Sequence, residues 1–310
     1  MKKVKIITDS TCDLTVEELK ELDVDFVPAY VIIDGKKFKQ HINITNDEVY
    51  RQLIDEKRTI GTAASAPGEF LEVFEKALEE AESIIFISVI SKLSAVNQTA
   101  TLVANKYLPN KDITIIDSQA ASLAHAILVI EASKMVKEGK TKDEIVDRIT
   151  YLADYTVALP LLDTLEYIYR GGRIKLYQKL LGNFLGIKPL VRIDKGGSTI
   201  DGKVKGRKNA LIQLKMCGLQ IQDHLKVNIM YVAYTTNRAI AEEVAHFLKE
   251  NGRKDVDVRI GQLGSVVGVH GGNDVTGFGF VGHYEPSMFN ELGKVSLDVA
   301  LAKWKSKIKG

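Results

Sequence analysis

The chain has 310 residues, 45% apolar and 26% charged, the composition of a globular protein of one large or two ordinary domains. Its two cysteines, Cys12 and Cys217, lie far apart and its six histidines are scattered, which excludes a disulfide framework and argues against a metal site. The net charge of +2 hides one basic block: 170–208 holds eleven Lys or Arg against Asp194 and Asp201 alone.

The first residues run straight into a strand, Val4 to Asp9, with no apolar signal core, so a cytoplasmic protein is expected. A capping box, Thr15 to Glu18, opens a helix over 16–22, and 24–39 reads as a strand pair turning at Asp34-Gly35. A second box, Thr45 to Glu48, opens a helix to about Glu56. Small residues fill 61–70, with hydroxyls at Thr62 and Ser65, before a helix whose buried face is marked by Phe70, Phe74, Ala77 and Ala81. Ile84 to Ile90 then suits a strand buried on both faces. It gives way at once to Ser91, Ser94, Asn97, Gln98 and Thr99, on a turn that enters a helix. Open α/β sheets take ligands at such places, and the free amides and dipole of a helix N-terminus favour an anion. Either serine could instead cap the helix, and from this stretch alone capping is the stronger reading.

A further strand over 113–116 ends in Asp117-Ser118, and 120–137 is an apolar helix whose richest window is broken by His125 and too short to span a bilayer. A third capping box, Thr141 to Glu144, opens a helix to Ala153. This recurrence of strand, turn and helix predicts a mostly parallel sheet covered on both faces. Past Thr156 the pattern changes, and a domain boundary is placed near 160. A strand over 157–162 precedes a helical turn that ends in Gly171-Gly172-Arg173. An antiparallel ribbon follows around the turns Gly196-Gly197 and Asp201-Gly202. Helices at 211–224 and 240–251 alternate with strands at 227–235, 256–263 and 276–284. Gly264 to Asp274 reads as a glycine-rich loop bearing His270, and 288–309 as a helical tail.

Several chemistries can be struck out. The chain has no GxxxxGKS/T loop, no GxSxG elbow, no HExxH and no CxxC. Gly268-Val-His-Gly-Gly-Asn lacks the spacing of a dinucleotide fingerprint. Ser94 and His270 with Asp9 or Asp117 could be drawn as a hydrolytic or acyl-transfer triad, although the elbow is absent. The hydroxyls of the Thr62/Ser65 and Ser91/Ser94 turns, helix N-terminal amides and His270 converge more naturally as neutral donors around a carboxylate. Taken alone, His270 is more simply a structural loop histidine. The basic block could meet phosphate, nucleic acid or an acidic partner, but no nucleic-acid motif accompanies it.

Eight segments in order carry a resemblance: 6–14 (ITDSTCDL with its flank), 62–70 (TAASAPGEF), 91–100 (SKLSAVNQTA), 115–122 (IIDSQAAS), 165–174 (LEYIYRGGRI), 187–190 (IKPL), 202–210 (GKVKGRKNA) and 264–272 (GSVVGVHGG). Over essentially its whole length the chain resembles the DegV family of bacterial fatty-acid-binding proteins. The resemblance implies two α/β domains, a Rossmann-like mostly parallel one over 1–158 and one with a mixed sheet over 159–310, with a lipid site between them. It implies a non-enzyme that buries one long-chain fatty acid, palmitate-, stearate- or oleate-like, and needs no other cofactor. Thr62, Ser94 and His270 would hold the carboxylate, beside Ala63 and Ala95. Arg173, Lys205 and Arg207 would face a separate ATP-dependent fatty-acid kinase that makes acyl-phosphate for phospholipid synthesis. The chain departs from the family pattern at Ala63, Ala95, Val96, Lys205 and Asn273, which makes a more apolar head-group site the expectation.

Overall fold

The computed structural model describes residues 2–174, 186–290 and 297–308. β1 (Lys2–Asp9) leads through a 3₁₀ turn to α1 (Val16–Glu21) and β2 (Val24–Val27), then to the hairpin of β3 (Tyr30–Ile33) and β4 (Lys36–Lys39). α2 (Asn46–Ile54), β5 (Ile60–Ala63), α3 (Pro67–Glu80) and β6 (Ala81–Ser88) follow, then α4 (Val96–Tyr107), β7 (Asp112–Asp117), α5 (Leu123–Lys137) and α6 (Lys142–Ala153). The remainder runs β8 (Thr156–Leu161), α7 (Glu166–Arg170), β9 (Ile187–Asp194), β10 (Gly197–Lys205), α8 (Arg207–Gln222), β11 (Leu225–Tyr234) and α9 (Arg238–Asn251). It closes with β12 (Asp257–Gln262), α10 (Ser265–Gly271), β13 (Thr276–Gly282), α11 (Ser287–Asn290) and α12 (Leu297–Ile308).

The fold is α/β. An all-parallel sheet in the order β2-β1-β6-β7 forms the first layer. Ile84 to Ile87 on β6 are fully buried because helix pairs, α3 with α4 and α5 with α6, cover this sheet. Phe70 and Phe74 of α3 meet Phe86 of β6 edge-on, at 5.8 and 5.5 Å between ring centres. A six-stranded sheet, β10-β9-β8-β13-β11-β12, is antiparallel except between β11 and β12. The expected division between 158 and 159 falls inside β8, every residue of which pairs with β13.

Local signals hold where local energy decides. Thr15–Glu18 and Thr141–Glu144 form reciprocal capping boxes. Thr45 caps the Glu48 amide at 3.2 Å, but the Glu48 side chain accepts from Gln52 instead, so that box is half made. Two expectations need correction. The stretch 24–39 is not one strand pair: β2 joins the parallel sheet, while the β3–β4 hairpin, turning at Asp34-Gly35, joins β5 in a separate three-stranded sheet. The small residues at 60–63 are therefore strand, held by pairing to β3. Gly264 to Asp274 is not a loop, since α10 occupies its centre.

Candidate functional site

A cavity of about 280 Å³ lies between the six-stranded sheet and the β6–α4 turn, with the starts of α5 and α10 in its wall. Its floor follows from period-two alternation along the strands. On β13, Phe278 and Phe280 bury into the core beneath the sheet, so Gly277 and Gly279 are left to the cavity side. On β8, Leu159 and Leu161 point down, while Ala158 and Pro160 line the cavity. Ala233 of β11 completes a floor of small residues. Opposite stand Ile90 and Leu93, Leu123 and Ala124 of α5, and Val266 of α10.

The polar groups are few. Thr11 and Ser122 line the wall, but their hydroxyls donate to the buried carboxylates of Asp9 and Asp13 behind it. Ser122 adopts a left-handed backbone, φ 57°, a strained conformation for a residue with a Cβ that this bond to Asp13 helps hold. That leaves Thr62, Ser94, His270 and Arg173. Thr62 sits on β5 opposite Val31, and its Oγ1 lies 3.1 Å from His270 Nε2. Burial, and then the charge of Arg173, push the His270 imidazole down to about 4, so it is neutral near pH 7. With Nε2 protonated it donates to Thr62, whose own proton is then free for an anion.

Ser94 Oγ accepts from the Val96 amide at 3.4 Å, while the residue at the N-cap of α4 is Ala95, without a capping side chain. Ala63 and Ala95 both line the cavity. Arg173 spans the site from the other side. Its Nε donates to the Leu93 carbonyl at 3.2 Å, next to Ser94, and its Nη1 to the Gly171 carbonyl at 2.6 Å. Gly171 is glycine because the imidazole occupies the space of its side chain: a Cβ there would lie 2.1 Å from His270 Nδ1. The Arg-Gly-Gly-Arg segment and the His270 segment thus meet.

A triad is not assembled. None of the hydrogen bonds among the described residues joins Ser94 to His270. Asp9 accepts from the Thr11 and Val89 amides, and Asp117 from those of Ser91 and Gln119. Neither carboxylate orients the imidazole, as a hydrolytic base would need.

The basic block is thinned by pairing. Arg170 meets Glu166, Lys188 meets Asp163, Arg192 meets Asp194 and Asp201, and Lys195 meets Asp154. Lys175 and Lys179 lie outside the described residues. Lys205 and Lys208 are exposed, flanking Arg207 at the start of α8. Arg207 Nη2 donates to Thr276 at 3.2 Å, but its Nε and Nη1 are buried without partners. Asn273 accepts from Thr236 at 2.6 Å. No helix among the described residues is long and apolar enough to cross a membrane, and no cluster there of three or more His, Cys, Asp or Glu could hold a metal ion.

Four residues that matter to the site escaped the sequence reading: Asp13, Gln40, Asn46 and Tyr50. All reach α10 or the residues just before it from the first fifty positions. Only the clustered polar residues of 8–13 hinted at them.

The architecture is thus that of an α/β protein enclosing an apolar cavity with one small group of unspent polar side chains. The chain belongs to the DegV family: the model of that family, described as one of uncharacterised proteins, matches residues 3–283. A DegV domain-containing protein of Caldanaerobacter subterraneus is 31% identical over 284 residues, 90% of this chain and 99% of that protein. Among solved structures, a fatty-acid-binding DegV family protein from Thermus thermophilus superposes with a TM-score of 0.81 at 27% identity, covering 91% of this chain and all of that one. A stearic acid-binding protein from Eubacterium ventriosum shares the fold at 24% identity, with a TM-score of 0.77 over 93% of this chain and all of that one.

Proposed function

We propose that this protein binds one long-chain fatty acid, with the acyl chain in the cavity and the carboxylate held by Thr62 and Ser94 directly and by His270 through its bond to Thr62. The observation that carries the reading is the cavity itself, apolar along its floor and roof with its unspent donors confined to the Thr62–His270 pair and its neighbours. Chain burial would supply most of the affinity, at about 0.8 kcal/mol per CH₂. The Thermus relative, described as binding fatty acid, supports the same assignment. On this reading the site lies between an N-terminal domain, 1–158, and a C-terminal domain, 159–310, and performs no chemistry itself.

The direct test is mass spectrometry of what the purified protein carries. A palmitate-, stearate- or oleate-like acid is expected; no acyl chain, and no uptake of added palmitate or oleate, would overturn the reading. Ser94→Ala should weaken binding by about 0.5–1.5 kcal/mol, the worth of one neutral hydrogen bond. Unchanged affinity would leave Ser94 as no more than the acceptor for Val96.

The second half of the reading is presentation of the bound acid to a separate ATP-dependent fatty-acid kinase. Arg207 supports it: half-buried at the start of α8 with its Nη2 on Thr276, it stands between the exposed Lys205 and Lys208, and this positive patch suits a phosphoryl group or an acidic partner surface. Arg207→Ala should cut acyl-phosphate formation with such a kinase by about tenfold or more, the worth of a charged hydrogen bond, and leave fatty-acid affinity unchanged. Equal loss of both would make Arg207 structural.

A further inference from the structure

Helix α10 has seven residues, too short to persist on its own, yet it carries His270. None of the caps at its start comes from its own neighbourhood. The Gly264 amide donates to Asp13, the Ser265 amide to Asn46 Oδ1 at 2.8 Å, and the Val266 amide to Gln40 Oε1 at 3.0 Å. These are three consecutive amides at a helix start, each of which would otherwise be buried or left to water. The acceptors are themselves tied together. Gln40 Nε2 donates to Asp13 Oδ1 at 3.2 Å and to the Ser10 carbonyl at 2.9 Å, and Asn46 Nδ2 reaches Gln262 at 3.4 Å. Asp13 and Gln40 are almost wholly buried, 6% and 1% exposed, so no water substitutes for them. The fit leaves no slack: a Cβ on Gly264 would stand 2.2 Å from both Asp13 Oδ1 and Gln40 Nε2.

We propose that Asp13, Gln40 and Asn46 are positioning residues for the head-group site, holding α10 across the cleft so that His270 meets Thr62. The proposal rests on the fatty-acid reading for its functional half only. If the clamp lets go, α10 frays at its start, the imidazole leaves its buried place beside Arg173, and Thr62 loses the donor that leaves its own proton free for a fatty acid. None of the three clamp residues lines the cavity.

The test reads His270 directly. Imidazole resonances of delipidated protein, assigned against His270→Gln, are titrated by NMR in the parent, Asn46→Ala and Asn46→Asp. In the parent the His270 midpoint is expected at about 4; in Asn46→Ala it should climb toward the ordinary 6.5. Asn46→Asp keeps the acceptor for Ser265 and should keep the low midpoint. Palmitate affinity should fall about tenfold in Asn46→Ala, the loss expected of one helix cap, and recover in Asn46→Asp. A lowered unfolding temperature with an unmoved His270 midpoint would overturn the proposal, because a merely structural clamp gives that result. If Asn46→Ala does not fold, Gln40→Met, which preserves volume and removes the Val266 acceptor, takes its place with the same criterion. Because the titration needs no ligand, a protein that binds no fatty acid but shifts its His270 midpoint refutes the functional reading and sustains the clamp.

Discussion

Asp13→Asn should flatten the stability of this protein against pH and raise it at about pH 8. Asp13 is buried, and burial lifts its carboxyl from 3.8 to about 7, against the lowering pull of donors from Ser122, Gly264 and Gln40, with Asp9 adding repulsion. The sign follows from proton counting. Between those two values the native state keeps a proton that the unfolded chain has lost. Stability from this group is therefore complete below 3.8 and drains away as pH rises through about 7, by roughly 4 kcal/mol at most. Asn imitates the protonated form: its amide can donate to Ser122 Oγ while its carbonyl accepts from Gly264 and Gln40.

Other groups pull the other way. His41, His125 and His270 are each lowered by burial, so each costs stability as pH falls below its unfolded value. Cys12 and Tyr50, both raised by burial, stay neutral throughout this range. The measurement is thus a difference. Urea midpoints of the parent and Asp13→Asn, compared from pH 5 to 8, should diverge as pH rises, the variant becoming the more stable. Parallel curves would show that Asp13 titrates as an ordinary carboxylate and that its environment has been misread.

The second large effect is expected at Gly268. A Cβ there would lie 1.8 Å from Tyr50 Oη and 2.6 Å from its Cζ. Tyr50 has nowhere to go, since its ring is buried on α2 and its hydroxyl donates to the Leu263 carbonyl at 2.7 Å. Gly268→Ala must therefore push α10 outward, at about 1–3 kcal/mol for overpacking, and carry His270 with it. Fatty-acid binding should fall together with stability. Tyr50→Leu removes the offending ring atoms, so the pair Gly268→Ala with Tyr50→Leu should be less damaged than the sum of the two singles. Simple additivity in that cycle would show that the contact exerts no pressure.

That glycine explains why part of the fold could not be read from the chain. Capping boxes at Thr15 and Thr141, the buried run of β6 and the Asp34-Gly35 turn are local statements, and the structure repeats them. GSVVGVHGG looked like a loop because glycine opposes helix, by about 1 kcal/mol per residue. Here the glycines are needed by neighbours far away: Gly264 by Asp13 and Gln40, Gly268 by Tyr50, and Gly272, at φ 80°, by the Tyr167 ring. The strand at 60–63 was missed for a related reason, as only its pairing with β3 makes it strand. The convergence of Thr62 with His270 came from family resemblance, because nothing in either segment announces a partner 208 residues away.

The clamp on α10 also sets an order of events. Asn46 is made 219 residues before the amide it caps, and Gln40 226 residues before its own. During synthesis the acceptors leave the ribosome long before the helix they will hold, so they cannot be satisfied by it until that later stretch has been made. Closing so long a loop adds little entropy beyond a shorter one, yet it makes this contact among the most non-local in the molecule. The polar end of the cavity is then completed late: an N-terminal surface that already carries Thr62 and Ser94 waits for α10 to deliver His270 to it.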